Sequence, residues 1–277
     1  SLSPPFMQKP LAACQHLDDA ALLDLWDRIS CVPEPDHTRI LLSTAYPSLD
    51  DPGQLPVGTA WHLLLEFRIQ RFGANFPFVD TCPSCGEGVE FELTGRDFLP
   101  VEKPAASRAV EHSLEHGPWS LRFRTLCLGD WEQVAGGNPR SAEDAAKALL
   151  SQALIEVKNN GKPLPPEKLP EKAWEALSAA LSERDPWAEI SFNLHCPACR
   201  HEWDSFFEPD KFLLQEVRNA ASRLLREIHE LAAGYGWREA DILKLSEIRR
   251  NRYLQLLRDE PSGLRSHRLA RSGGGYQ

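Results

Sequence analysis

Two short cysteine motifs carry the side chains of this sequence that are best suited to chemistry. They run from Cys82 to Cys85 and from Cys196 to Cys199, and both read Cys-Pro-x-Cys. Two residues between the cysteines let one tight turn bring both sulfurs to one point, and proline suits that turn because its φ is fixed. One motif supplies two thiolate ligands, and two motifs supply the four of a closed structural zinc site. The sequence therefore predicts one structural zinc ion bound by Cys82, Cys85, Cys196 and Cys199.

The segments around the two motifs repeat as well. Alternating polar and apolar residues follow each motif, at 89–93 and at 201–206, and a Phe-Leu pair comes later in both copies. Such alternation predicts strands, so each copy reads as strand, cysteine turn and strand, then a turn into the next element. We interpret the copies as the two halves of one zinc ribbon. The predicted fold class is α+β: a split zinc ribbon flanked by helices, with an α+β insertion between its halves and a helical C-terminal region.

Other chemistry for the cysteine motifs stays open at this point. A redox motif of the thioredoxin type belongs at the start of a helix, whereas these motifs lie between strand-like runs. A disulfide within a motif is disfavoured in a reducing cytosol. Iron can replace zinc in a rubredoxin-like electron carrier. Further alternatives are two separate metal sites, a metal-free descendant of the ribbon, and a site in which His195 or His201 replaces a cysteine.

The sequence offers no recognisable catalytic machinery. It contains no nucleophile elbow, phosphate-binding loop, dinucleotide fingerprint or zinc-protease motif, and its histidines are scattered. A closed four-cysteine site has no open position for water or substrate, so it cannot activate a nucleophile. We therefore expect a protein that is not an enzyme and has no small-molecule substrate.

Charge and hydropathy argue against two classes of partner. Lysine and arginine number 31 against 40 aspartates and glutamates, so the net charge is −9. Nonspecific nucleic-acid binding depends on neutralising phosphates, and this acidic balance makes nucleic acid an unexpected partner. A zinc-ribbon regulator that binds nucleic acid is nevertheless the alternative function. No apolar run approaches membrane-spanning length and the first residues lack the features of a signal peptide, so we expect no membrane insertion.

Breaks in the hydrophobic pattern, many of them at proline and glycine, divide the chain into five predicted segments. We predict a flexible arm at 1–16, an N-terminal helical segment with the first ribbon half at 17–99, and an α+β insertion at 100–190. The second ribbon half and the C-terminal helices occupy 191–260, and a flexible basic tail occupies 261–277. This division rests on composition and hydrophobic period alone.

Capping residues and helical periodicity predict several helices within these segments. Asp18 or Asp19 begins one helix, and Thr59 caps a second that ends at Gly73. Ser141 begins a helix that continues to about Val157. Further helices are predicted at 171–183 and at 210–233, near Arg238, and after a cap at Ser246. Residues 119–126 alternate as a strand, which pairs with 112–114 through the intervening turn.

Two blocks of the sequence, one around each cysteine motif, carry a resemblance to a known family. The first block comprises Leu55-Pro56-Val57-Gly58, Arg71-Phe72-Gly73, Thr81-Cys82-Pro83-Ser84-Cys85-Gly86 and Val89-Glu90-Phe91. The second comprises Leu194-His195-Cys196-Pro197-Ala198-Cys199, Trp203, Phe212-Leu213 and Leu224-Leu225-Arg226-Glu227-Ile228-His229, and it ends in Tyr235-Gly236-Trp237-Arg238-Glu239-Ala240-Asp241-Ile242-Leu243-Lys244-Leu245 and Arg250-Asn251-Arg252-Tyr253-Leu254. Together these blocks resemble the T-even-phage-type baseplate protein family, often called baseplate hub assembly chaperones, and the segment that contains Tyr235 and Trp237 is the more specific part. One residue departs from the pattern, because Arg200 stands where glycine is expected in a left-handed turn, at a cost of about 1 kcal/mol.

The resemblance implies a non-enzymatic assembly or structural protein of a contractile phage tail or injection system. Its partners would be baseplate hub, spike or tail proteins. It would act in the bacterial cytoplasm or become part of the phage tail or injection-system particle. The helices near the C-terminus would then present apolar residues to the partner, for which the candidates are Tyr235, Trp237, Ile242, Leu245 and Tyr253.

Overall fold

The protein has an α+β fold in the computed structural model, which describes residues 13–98 and 108–259. Its helices are α1 Asp19–Ser30, α2 His37–Ala45, α3 Val57–Phe72, α4 Gly95–Phe98, α5 Leu128–Gly136, α6 Ala142–Ala153, α7 Glu171–Arg184, α8 Pro209–Tyr235, α9 Glu239–Leu243 and α10 Glu247–Asp259. Its strands are β1 Asn75–Thr81, β2 Gly88–Thr94, β3 Glu111–His116, β4 Trp119–Arg124, β5 Leu154–Asn159, β6 Lys162–Pro163, β7 Ile190–His195 and β8 Glu202–Phe207. Among the described helices, none combines the length and apolarity needed to cross a membrane.

The described chain forms two compact units. The first contains residues 13–16 and 29–213, and the second contains 17–28 together with 214–259. The sequence-based division differs, because it grouped the segment after residue 16 with the first cysteine motif. Leu23 of α1 explains the difference, since it packs into the same apolar cluster as Leu224 and Leu254 of the C-terminal helices.

Two antiparallel hairpins with the same register carry the cysteine motifs. In the first, β1 pairs with β2 and Phe76 lies opposite Leu93. In the second, β7 pairs with β8 and Ile190 lies opposite Phe207. The repeated strand, turn and strand pattern in the sequence is therefore confirmed at the level of hairpins.

Helix α3 leads into the first hairpin, and its start differs from the prediction. Thr59 was expected to be the N-cap, but the helix begins at Val57 and Thr59 is buried within its first turn. Pro56 precedes the helix with a φ of −52° and a ψ of 142°, and the carboxylate of Asp185 accepts a hydrogen bond from the Gly58 N–H at 3.0 Å. A capping acceptor so distant in sequence leaves no local signal. The predicted end is confirmed, since Gly73 has a φ of 96° and its N–H donates to the Ile69 carbonyl.

The segment between the hairpins builds a four-stranded antiparallel sheet, β3-β4-β5-β6, with helices packed on it. Its apolar cluster includes Leu121 and Phe123 of the sheet with Trp174 and Leu177 of α7. The predicted hairpin of β3 with β4 and the predicted helix α7 are confirmed. The helix predicted from Ser141 to about Val157 is too long, because α6 ends at Ala153 and β5 follows directly.

The second unit is a helical cluster centred on α8. Its buried residues are Leu23, Ala221, Leu224, Ile228, Leu231, Ile242, Leu254 and Leu257. Arg250 is buried and forms ion pairs with Glu227 at 2.9 Å and with Asp19 at 2.6 Å. The predicted cap is confirmed, since the Ser246 hydroxyl accepts from the Arg249 N–H at the start of α10.

Candidate metal centre

Each cysteine motif forms the turn at the tip of its hairpin, and the two turns share one hydrogen-bond pattern. In the first, the Cys82 N–H donates to the Glu87 carbonyl at 2.8 Å and the Gly86 N–H donates to the Cys82 carbonyl at 2.9 Å. In the second, Cys196 and Arg200 make the equivalent bonds, both at 2.9 Å. The repeat therefore extends from the sequence pattern to the backbone of the turns.

The residue after each motif adopts the left-handed conformation that the sequence predicted. Gly86 has a φ of 78°, which costs glycine little. Arg200 has a φ of 61° at the equivalent position, where its Cβ makes this conformation unfavourable. The second turn is thus formed at a backbone cost that the first avoids.

The four cysteine sulfurs converge on one point. They all lie within 4.8 Å of one another. The Sγ atoms of Cys82 and Cys199 are 3.7 Å apart, and those of Cys85 and Cys196 are 3.6 Å apart. A tetrahedral site with Zn–S bonds of about 2.3 Å has sulfur–sulfur edges of about 3.8 Å. The close pairs join one motif to the other, so the arrangement fits a single metal ion shared by both hairpins.

The two hairpins present their cysteines in equivalent environments. Cys82 and Cys196, the first of each motif, are buried, whereas Cys85 and Cys199 are exposed. A hydrogen bond from the Cys199 N–H lowers the pKa of the Cys196 thiol to about 7. The Glu87 N–H has the same effect on Cys85, but hydrogen bonds with the thiols of Cys199 and Cys196 outweigh it and raise that pKa to about 12. A metal ion that binds here must therefore displace the proton that hydrogen bonding keeps on Cys85.

Phenylalanine side chains pack the two hairpins against each other below the sulfurs. The ring of Phe78 in β1 lies 5.3 Å from that of Phe192 in β7 and 5.1 Å from that of Phe207 in β8, measured between centroids. Phe212 of α8 adds a contact 5.4 Å from Phe78. Aromatic pairs at these distances contribute about 0.5–1.5 kcal/mol each beyond the area they bury. The sulfurs are thus positioned by an apolar contact between the hairpins as well as by the turns.

A polar contact between the hairpins lies nearer the sulfurs. The Asp80 carboxylate accepts a hydrogen bond from Trp203 Nε1 at 3.1 Å. The hydrogen bond with the Ser205 hydroxyl, followed by that with Trp203, holds the pKa of Asp80 below its usual value. Asp80 and the phenylalanines were not predicted as site residues. Their signal was the alternation that places Phe76, Phe78 and Asp80 on one face of a strand before Cys82.

The other predicted candidates lie elsewhere. His195 and His201 are exposed, and within residues 13–98 and 108–259 only the four cysteines form a group with metal-ligand spacing. The seven cysteines, all within the described residues, form no disulfide, and both motifs lie between strands and not at a helix start.

The five residues predicted to bind a partner belong to the second unit. Tyr235, Trp237 and Tyr253 form a ring cluster in which Tyr235 stacks on Trp237 at 4.5 Å. Ile242 is completely buried, and Leu245 is half-buried. These positions describe internal packing, so their contact with a partner stays a prediction.

No family model matches the chain, and neither a curated protein nor a solved structure does.

What the centre can do follows from its set of four thiolate ligands. Four thiolates occupy all positions of a tetrahedral ion, which leaves none for water or substrate. The arrangement therefore suits a structural metal that joins two parts of the chain.

Proposed function

We propose that this chain is a zinc-binding protein in which one structural ion closes a split zinc ribbon. The supporting observation is the convergence of four sulfurs, from residues as far apart as Cys82 and Cys199, at the spacing of a tetrahedral site. Sequence separation matters here, because ligands so distant cannot form a local site before the chain folds. Binding of the metal is thus coupled to bringing the two hairpins together.

Zinc is the proposed metal, although four thiolates can also hold iron. Zinc fits because it prefers tetrahedral coordination, takes sulfur ligands and has no redox chemistry. An iron site would serve electron transfer, for which the sequence offers no other feature. Purified protein without the visible absorption of an iron tetrathiolate would support zinc, and a red protein with one iron per chain would exclude it.

The biological role that we propose is non-enzymatic assembly of a contractile phage tail or injection-system baseplate. Support for this role comes from the resemblance of the blocks around Cys82 and Tyr235 to the baseplate family. The closed four-cysteine site also agrees with a structural role, since a saturated ion has no open position for a substrate. Partners of this proposal are hub, spike or tail proteins, contacted in the bacterial cytoplasm or retained in the particle.

Elemental analysis tests the metal part of this proposal. Freshly purified protein should contain about one zinc per chain, and Cys82→Ser and Cys199→Ser should both lose it. Cys31→Ser is the matched control, because Cys31 is an exposed free thiol outside the cluster. Metal-free wild-type protein, or two zinc ions per chain, would contradict the shared site.

Co-expression tests the assembly part separately. The genes adjacent to this one would be co-expressed with it, and the tagged chain should retain a hub, spike or tail protein through purification. Retention should survive in Cys31→Ser. If neighbouring genes encode no sheath, tube or spike protein and none is retained, the baseplate role is wrong even where the zinc site is correct.

A further inference from the structure

An open cleft lies between the two hairpins, beside the metal centre. It has a volume of about 280 Å³, and phenylalanines from both hairpins and from α8 form most of its wall. Two of its apolar residues are strongly exposed: Val79 of β1 at 74% and Phe206 of β8 at 64%. Small-molecule pockets are typically about 300–1,000 Å³, so this cleft fits one large side chain better than a whole ligand.

The cleft reaches the edges of two strands. Side chains alternate between the faces of a strand, yet three successive residues line the cleft on each side: Phe78 to Asp80 in β1 and Ser205 to Phe207 in β8. A cavity contacts successive residues in this way when it extends along a strand edge. Each of these sheets has only two strands in the described part of the chain, so β1 and β8 each have one unpaired edge.

The pairing register shows which main-chain N–H and C=O groups point outward at those edges. The Cys196 N–H donates to the His201 carbonyl, and hydrogen-bonded pairs alternate along an antiparallel ladder. Phe206, opposite Ser191, is therefore in a pair whose N–H and C=O groups point away from β7. Val79 has the equivalent place in β1, where the neighbouring Pro77 has no N–H to offer. The edge of β8 is the better template for an added strand, since it lacks proline.

Charge at the cleft selects for a basic occupant. The four hairpin strands contain five acidic residues and no lysine or arginine: Asp80, Glu90, Glu92, Glu202 and Asp204. Asp80 lines the cleft directly, as does Glu208, which pairs with Lys211 at 2.6 Å. The lining thus combines phenylalanines with two carboxylates and no lysine or arginine, which complements a side chain that is apolar, next to others that are positive.

We propose that this cleft binds an extended peptide segment of a partner protein, which pairs with the edge of β8 and inserts one aromatic or large aliphatic side chain flanked by lysine or arginine. Strand addition of this kind draws affinity from main-chain hydrogen bonds and specificity from the pocket. The inference deepens the proposed assembly function. It rests on the proposed metal site, since the metal joins the two hairpins that form the walls of the cleft.

A peptide-display selection tests the proposal on the zinc-loaded full chain. Random nonapeptides would be selected on the immobilised protein, and enriched peptides would be labelled with fluorescein for anisotropy titrations. We expect enriched peptides to share an aromatic or large aliphatic residue beside lysine or arginine. Methylation of one peptide main-chain nitrogen should weaken binding, as should added salt. Failure to enrich any peptide, or enrichment of acidic peptides, would overturn the proposal.

Matched variants locate the binding in the cleft. Phe206→Ala and Val79→Ala should each weaken the selected peptide by about tenfold or more, as expected for a central contact. Ile248→Ala is the control, because Ile248 is 82% exposed and lies on α10 in the other unit. Equal affinity of wild type and both cleft variants would overturn the proposal, as would an equal loss in the control.

Two further measurements separate this inference from its alternatives. Zinc analysis of each variant should give the wild-type content. Zinc without peptide binding therefore refutes the cleft alone, whereas absence of zinc refutes the metal proposal. Sedimentation of wild type and Phe206→Ala identifies the competing occupant. A dimer that this variant abolishes would show that a second copy of the chain fills the cleft, and would overturn the peptide assignment.

Discussion

Replacing Cys82 or Cys199 should loosen both hairpins together, because the proposed metal binds to both. Cys82 and Cys199 are 117 residues apart, and a metal bound to both closes that length of chain as a loop. An ion that binds the folded chain and not the unfolded one stabilises the folded state by about 4 kcal/mol when its free concentration is about a thousand times its Kd. The insertion has its own apolar cluster, so the loss of this stabilisation should fall on the two hairpins. Cys82→Ser and Cys199→Ser should each lose the metal and approach this loss in the free energy of unfolding.

Hydrogen exchange distinguishes a shared centre from two independent turns. In both variants, protection should fall in β1–β2 and in β7–β8, while the sheet that contains β4 keeps most of its protection. Cys31→Ser should match the wild type in metal content, exchange and urea midpoint. If Cys82→Ser exposes only residues near the first turn and leaves β7–β8 protected, the hairpins do not share a metal and the reasoning fails.

Three further predictions concern the turns, the ring cluster and a buried carboxylate. Gly86→Ala should lower stability by about 1 kcal/mol in urea unfolding, whereas Arg200→Gly should not, since glycine relieves the left-handed backbone; equal losses would contradict the turn argument. Trp237→Ala should lower the melting temperature, because its ring contacts are lost. The loss in the free energy of unfolding should be smaller than the 3–5 kcal/mol typical of fully buried aromatics. Unchanged stability with loss of a co-purifying tail protein would make Trp237 a partner contact. Burial raises the pKa of Asp185 above 3.8, so its contribution to stability is complete below that pH and is lost as the pH rises through the raised value. Asp185→Asn keeps an acceptor for the Gly58 N–H and should flatten this part of the stability–pH curve in urea titrations; an unchanged curve would contradict it.

The cysteine turns could be predicted from sequence because their chemistry is local. Spacing, proline and the flanking alternation indicate a turn between strands, and the left-handed conformation at Arg200 followed from its place after the second motif. The convergence of the motifs was a stronger inference, based on the ligand number of zinc. It is confirmed at the level of sulfur positions, and the metal itself stays a prediction.

The features that could not be predicted depend on partners distant in sequence. The helical period continues past Ala153, but β4 offers an edge that residues 154–159 complete as a strand. Asp185 supplies the cap of α3 from far along the chain, so Thr59 was the best local choice. Leu23 joins the C-terminal helices through contacts that no local pattern records. In each case tertiary contact decided between conformations that the local sequence allowed.

The near-equivalence of the two hairpins has a consequence for how the protein must be handled. Because each hairpin supplies half of the ligands, a first hairpin from one molecule and a second from another can complete the same four-sulfur centre. Such an exchange links chains without any new type of contact, and high protein concentration favours it over closure within one molecule. Supplying metal to concentrated unfolded chains should therefore give oligomers, whereas dilution before metal addition should give monomers with intact centres. The order of folding and metal loading thus selects between two products of equal coordination chemistry.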